Sequence, residues 1–337
     1  MGVSFSLAGS ARDRRIEMEV GRTVLAEELG YEGMYFSEAL MSGLDPFQVM
    51  AVAAMSTKRI KLGTAIMTMG FREPHVLANQ SATLNEISGG RVILGVGTGD
   101  GNTYTMGRTA TPLSEFEKGL RIIRELVNGR AISVPRGKER DEGEVSLRAG
   151  KFPVPLYVAA AGPRSLRMAG RVADGVILGS GFDLRALQWA RDQVATGARE
   201  AGRSLSEIDL MGAGIMCVDE DRARARELAK ARLANRAHHN FRFTLETVPP
   251  EELEGVKKFM EHFDVAKPIN QRSDPRLVTE YLVQRFSIAG TPEECVERVR
   301  QLEQAGLRRI LLTLPPAIYR DVMRRWAEKV MPHFSTP

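Results

Sequence analysis

Residues 291–313 read TPEECVERVRQLEQAGLRRILLT, and this stretch decides the fold. Thr291 suits a helix N-cap, Pro292 suits the first helical position, and Glu293 and Glu294 favour the positive end of the helix. Val296, Val299 and Leu302 then form a stripe at helical spacing. Gly306 ends the helix, and residues 309–313 read as a short apolar strand. The same alternation runs back through the whole chain. Strand-like runs occupy residues 3–7, 33–37, 60–67, 91–97, 156–159, 175–178, 210–218 and 309–313, each with a helical pattern after it. Strands that alternate with helices pair in parallel, because a parallel connection needs a crossover. About eight such units predict an α/β fold, a closed (β/α)₈ TIM barrel formed as a single domain over residues 1–337. Chemistry in such a barrel belongs to the loops that leave the C-terminal ends of the strands.

Two segments interrupt the alternation, after the fourth and the seventh strands. Residues 129–150 are polar and charge-dense, and read as a hairpin or a surface excursion. Residues 235–273 carry His238-His239, Pro249-Pro250 and one helix over about 251–263. Insertions of this length serve as lids or oligomer contacts, so a homodimer or larger homo-oligomer is expected.

The composition narrows the function. Hydrophobic residues make up 43% of the 337 and charged residues 26%, which is ordinary for a globular protein. No apolar run is long enough to span a bilayer, and the N-terminus lacks the basic and apolar regions of a signal peptide. Cys217 and Cys295 are the only cysteines, which fits a reducing cytoplasm better than a disulfide scaffold. The net charge is +5, but the basic residues are spread over helices, as at Arg222, Arg224 and Arg226. No basic block with interleaved aromatics points to nucleic acid, whereas a mildly positive surface favours an anionic small-molecule substrate or cofactor.

Four strand exits carry the chemistry. The run Gly95-Val96-Gly97-Thr98-Gly99-Asp100-Gly101 lets a ligand approach the backbone, although no helix opens directly after it as a nucleotide fingerprint requires. The loop Ala159-Ala160-Ala161-Gly162-Pro163-Arg164-Ser165 combines small residues with a helix start, whose free N–H groups suit an anion. Residues 63–68 place Thr68 at the third exit, and Phe36-Ser37-Glu38-Ala39 places a carboxylate at the second. Glu38 and Asp100 are the two acids placed for proton transfer. The five histidines give no metal site, since His238-His239 lacks further ligands at suitable spacing, while His75 lies near a strand exit.

These segments together resemble the bacterial-luciferase-like superfamily of flavin and deazaflavin enzymes. Within it, the chain is most similar to the methylenetetrahydromethanopterin reductases that use coenzyme F420. The resemblance is carried by Ile60-Lys61-Leu62-Gly63, Ile87-Ser88-Gly89-Gly90-Arg91, Gly97-Thr98-Gly99-Asp100 and Ala160-Ala161-Gly162-Pro163. It continues through residues 169–175, Glu200-Ala201-Gly202-Arg203, residues 286–292 and Pro332-His333-Phe334. It implies a ring at the strand exits, propped by a non-proline cis peptide at Ala65–Ile66. It also implies cofactor contacts from Glu38, Ala65, Ile66, Thr68, Gly99, Asp100, Asn102, Thr103, Ala160, Ala161, Gly162, Pro163 and Arg164, with Asp100 or Glu38 as the catalytic acid.

The chain departs from the family at three points. Glu38-Ala39 stands where relatives carry Asp-His, which removes the base of the sugar-phosphate dehydrogenases. Phe182 replaces their basic residue, and Ser6-Leu7-Ala8 replaces an acid of the pterin reductases. Met69, His75, Met106 and Phe182 are therefore expected to line a largely apolar substrate pocket. The expected activity is F420-dependent hydride transfer to an activated C=C, C=N or C=O bond. The alternative is an FMN-dependent monooxygenase that uses reduced flavin and dioxygen, and a third possibility is a non-enzymatic flavin-binding protein.

Overall fold

The computed structural model describes residues 2–9, 15–99, 103, 106–136, 141–148, 150, 152–264, 267, 271–315 and 318–334. Its strands are β1 (Ser4–Gly9), β2 (Gly33–Phe36), β3 (Lys61–Thr64), β4 (Met67–Thr68), β5 (Val92–Gly97) and β6 (Ile132–Arg136), followed by β7 (Asp141–Val145), β8 (Leu156–Ala160), β9 (Gly175–Leu178), β10 (Asp209–Val218), β11 (Ser287–Gly290) and β12 (Arg309–Thr313). Strands β1, β2, β3, β5, β8, β9, β10 and β12 pair in parallel in that order, and β12 returns to β1. The sheet closes on itself, so the chain is a (β/α)₈ barrel, and each expected strand contributes to the ring.

Three details refine the ring, and two of them, the cis peptide and the hairpin, are as the sequence leads us to expect. The third strand is divided: β3 ends at Thr64, the Ala65–Ile66 peptide is cis, and β4 resumes at Met67 against β5. Strand β10 is long enough to pair with β9 and β12 and then, over Ile215–Val218, with the additional strand β11. Residues 129–150 include an antiparallel hairpin of β6 and β7, separate from the barrel sheet.

Alternation along the strands sorts the side chains into two cores. Outward residues such as Leu7, Met34, Phe36, Leu62, Val96 and Leu178 join the helix layer in one large apolar cluster. Inward residues Tyr35, Ile93, Tyr157, Ile177, Met211, Ala213 and Leu311 fill the lumen. The two tyrosines fit because glycine lies beside each ring in the neighbouring strand: Tyr35 pairs with Gly63 and Tyr157 with Gly175. A Cβ on Gly175 would fall 2.5 Å from the Tyr157 ring. Below them, Arg309 bridges Glu32 at 2.6 Å and Asp209 at 3.2 Å, and the Tyr157 hydroxyl donates to Asp209. Burial raises both phenol pKa values further into the alkaline range. These side chains fill the N-terminal end of the lumen, and a cavity also opens at the other end.

Helix Arg222–Thr244 begins at Asp221, whose carboxylate caps Ala223 N and Arg224 N. It runs 23 residues, well into the segment read as an insertion from residue 235. Ala225, Ala229, Leu233, Ala237 and Phe241 recur every four residues and bury that face against Val256, Phe259, Leu282 and Phe286. The helix over about 251–263 appears as Leu253–Glu261. Among the described residues, no helix is long and apolar enough to cross a membrane.

Candidate active site at the barrel mouth

A cavity of about 610 Å³ opens at the C-terminal end of the barrel. Ala8, Ala65, Ile66, Ala159, Ala160 and Ala161 make much of its wall, with Ile177, Ala213 and Leu311 at its floor. Its remaining side is polar, made by Arg232, Asn235, Arg236 and His239 of helix Arg222–Thr244.

The segment bearing the cis peptide protrudes into this space because its neighbours make room. A Cβ on Gly97 would fall 2.5 Å from Ile66 Cδ1, and one on Gly95 would collide with the Thr64 carbonyl oxygen. The first two glycines of the cluster therefore accommodate protein, not ligand. Thr64 fastens the same spot, its hydroxyl donating to Gly95 O at 2.7 Å and accepting from Gly95 N at 2.9 Å.

Glu38 clasps the other edge of the segment. Its backbone N–H donates to Ile66 O at 3.1 Å, and its carboxylate accepts from Thr68 N at 2.9 Å. The second carboxylate oxygen pairs with Arg72 Nε at 3.2 Å. Arg72 also pairs with Asp45 at 2.5 Å, and Asp45 caps helix Pro46–Ser56 through Phe47 N and Gln48 N. With its side chain 1% exposed, Glu38 is a buried acid joined to a cation and an amide, and it is not among the residues lining the cavity.

Thr68, Gly99 and Thr103 meet at the ends of β4 and β5. Gly99 has φ of +104°, and a Cβ there would fall 3.0 Å from Thr68 Cγ2 and crowd Thr103. Thr103 is buried, and its Oγ1 has no hydrogen-bond partner among the described residues. An orphaned buried hydroxyl beside an open mouth is an unmet bonding capacity of the kind a polar ligand edge fulfils. Across the mouth, Gly162 is the N-cap of helix Pro163–Val172 and supplies no side-chain cap; Pro163 starts the helix and Arg164 is exposed. A broad cavity walled by alanine and backbone fits a flat polycyclic cofactor, and the Thr103 hydroxyl and the helix start at Gly162 stand at neighbouring strand exits outside its lining.

The structure thus brings together Ala65, Ile66, Ala160 and Ala161 in the cavity wall, with Thr68, Gly99 and Thr103 in one neighbouring cluster. Asp100 and Asn102 lie outside the described residues. The four residues expected to line an apolar substrate pocket are placed as follows. Met69 is a core side chain, and a Cβ on Gly119 would fall 3.2 Å from its Cε. Phe182 is fully buried outside the lumen, with its ring over Gly212 and Gly214 of β10. His75 is exposed on helix Pro74–Ser88, and Met106 is 46% exposed. None of the four is among the lining residues.

What the sequence reading missed is the polar wall. The spacing of Arg232, Asn235, Arg236 and His239 places them on one helical face, and recognising the helix as continuous would have revealed it. His238, next in sequence, points elsewhere and stacks on Phe263 at 4.0 Å. Burial of Arg236 in the wall pushes its guanidinium down to about 10, still cationic at neutral pH.

Comparison with known proteins agrees with this architecture. The chain is 30% identical over 300 residues to a 5,10-methylenetetrahydromethanopterin reductase of Methanolobus tindarius, covering 86% of this chain and 88% of the relative. It is 30% identical over 325 residues to an F420-dependent glucose-6-phosphate dehydrogenase of Beutenbergia cavernae, covering 92% and 91%. The solved structure of the coenzyme F420-dependent tetrahydromethanopterin reductase of Methanopyrus kandleri superposes with a TM-score of 0.77 at 26% identity, over 99% of this chain and all of that one. The luciferase-like monooxygenase model matches residues 4–309, and the chain belongs to that family.

Proposed function

We propose that this protein is a coenzyme F420-dependent oxidoreductase that transfers a hydride between the deazaflavin and an activated C=C, C=N or C=O bond of a small molecule. The observation that carries this is the open mouth whose wall includes Ala65 and Ile66, held between Glu38 and the Gly95–Gly97 strand. Relatives matching most of the chain at about the same identity are F420-dependent by name. When bound, F420 supplies the hydride-carrying ring carbon.

This chain's residues then bind, orient and exclude water. Ala65 and Ile66 support one face of the ring, and Ala160 and Ala161 border it. Thr68, Gly99 and Thr103 border the ring on the β4 and β5 side, with Gly162, Pro163 and Arg164 on the other, and the family likeness adds Asp100 and Asn102 as cofactor contacts. Glu38 spends its carboxylate on Arg72 and Thr68 N–H. We therefore assign it to holding the Ala65–Thr68 segment, and assign Asp100 to the proton that accompanies the hydride. The two cysteines are free and buried, in keeping with a reducing compartment, and the enzyme is taken as a cytoplasmic homodimer or higher homo-oligomer.

Anaerobic oxidation of reduced F420 by a panel of enones, imines and ketones tests the proposal. Turnover without dioxygen is expected, with Asp100→Asn slowing it by about 10²–10⁴-fold. Oxygen uptake with reduced FMN, and none of this anaerobic turnover, would instead make the protein a monooxygenase.

A further inference from the structure

We infer that helix Arg222–Thr244 provides an oxyanion subsite at the barrel mouth, where Arg236 and Arg232 receive a carboxylate or phosphate of the bound ligand. This deepens the proposed function, since it rests on the mouth being the cofactor and substrate site.

Residues 232, 236 and 239 stand one turn apart, and the side chains of Arg232, Arg236 and His239 line the cavity. No described lining residue is an acid. The arginines at the start of the same helix behave differently: Arg222 pairs with Glu294, Arg224 with Asp219, and Arg226 with Glu280. Arg236 has no such carboxylate among the described residues, and its Nη1 reaches only the Ala213 carbonyl, at 3.3 Å. Arg232 Nη2 is 3.4 Å from the Leu314 carbonyl. The partly buried Arg236 guanidinium, with only the long neutral bond to Ala213 among the described residues, is destabilised by desolvation, and an anion in the cavity removes that penalty.

The wall is also held in place. Arg285, fully buried, donates to Tyr281 Oη at 2.7 Å, Asn240 Oδ1 at 3.2 Å, Thr244 Oγ1 at 3.1 Å and Thr247 Oγ1 at 2.8 Å. Asn240 in turn donates to the carbonyl of Gly179, a cavity-lining residue, at 2.8 Å. The arginine-bearing helix is thus fixed to the rim, and its cations need little reordering to meet a ligand.

The anion has two possible sources: the phosphate and glutamyl carboxylates of the F420 tail, or an acidic group on the substrate. Fluorescence titrations of wild type, Arg236→Gln, Arg236→Lys and Arg232→Gln with F420 and with its tail-free deazaflavin riboside separate them. The F420-loaded proteins are titrated in parallel with inorganic phosphate, read by thermal shift. A loss of about 10- to 100-fold for F420 alone, partly restored in Arg236→Lys, assigns the subsite to the cofactor tail. Unchanged F420 affinity with loss of the phosphate-induced shift assigns it to a substrate anion. Unchanged F420 affinity and an unchanged phosphate response in both glutamine variants overturn the inference. If wild type binds neither chromophore, the oxidoreductase proposal fails, and the phosphate titration of the unloaded protein still decides the subsite.

Discussion

Replacing Gly95 by alanine is a severe test of how the cavity wall is built. The added methyl would collide with the Thr64 carbonyl oxygen and lie 3.1 Å from its carbon, so backbone must move, not a flexible side chain. Overpacking of this kind costs about 1–3 kcal/mol. The displacement also breaks the two hydrogen bonds of 2.7 and 2.9 Å between Gly95 and the Thr64 hydroxyl, each contributing about 1 kcal/mol. Together these give a loss of about 3–5 kcal/mol, read as a shift of the urea midpoint at constant slope. Because Thr64 leads directly into Ala65–Ile66, F420 affinity in Gly95→Ala should fall as well, even below the unfolding transition. Gly21 provides the control. It sits exposed inside helix Ile16–Glu28, and nothing lies within 4 Å of its added Cβ, so Gly21→Ala should stabilise by about 0.5–1 kcal/mol. Equal and small effects of the two substitutions would refute the claim that Gly95 makes room for the segment.

Arg72→Met strands the buried Glu38 carboxylate and should destabilise by about 3 kcal/mol. Glu38→Gln keeps an acceptor for Thr68 N–H and should lose only about 1–2 kcal/mol. A double variant no less stable than Arg72→Met alone would show the two act as a pair, whereas full additivity in chemical denaturation would contradict the contact. Arg285→Met should cost about 3 kcal/mol or more, leaving four buried polar neighbours without their shared donor; an unchanged Tm would exclude the clamp. Burial pushes the Cys217 thiol up to about 11 and the Cys295 thiol higher still, so both are neutral at pH 8. Native protein should therefore resist a thiol-specific reagent at pH 8 and release two equivalents on unfolding. Their raised values also draw stability down as pH climbs past the ordinary thiol range, where only the unfolded thiols ionise.

Much of the barrel was legible because its signals are local. Caps such as Thr291 with Glu294, apolar runs of strand length and the order of the family-like motifs each report on a few neighbouring residues. The division of the third strand was visible only through the resemblance, since Thr64-Ala65-Ile66-Met67 reads as a continuous strand. Its cause is tertiary: the absent side chains of Gly95 and Gly97 lie on the adjoining strand. The same limit explains the substrate pocket. Met69 and Phe182 follow strand exits, but neighbouring glycines (Gly119, Gly212 and Gly214) give them berths in the core. Arg232 and Arg236 were hidden by the opposite error. Pro249-Pro250 and the adjacent histidines made residues from 235 onward read as an insertion, although the alanine repeat at 225, 229 and 237 carries the helix through to Thr244.

We propose a deazaflavin ring seated across the barrel mouth. The most direct measurement is a parallel titration of the purified protein with F420 and FMN, followed by fluorescence quenching under anaerobic conditions. Saturable quenching of F420 near one site per chain, weakened in Gly95→Ala and with FMN bound far less tightly, is the predicted result. Tight FMN binding with no response to F420 would contradict it.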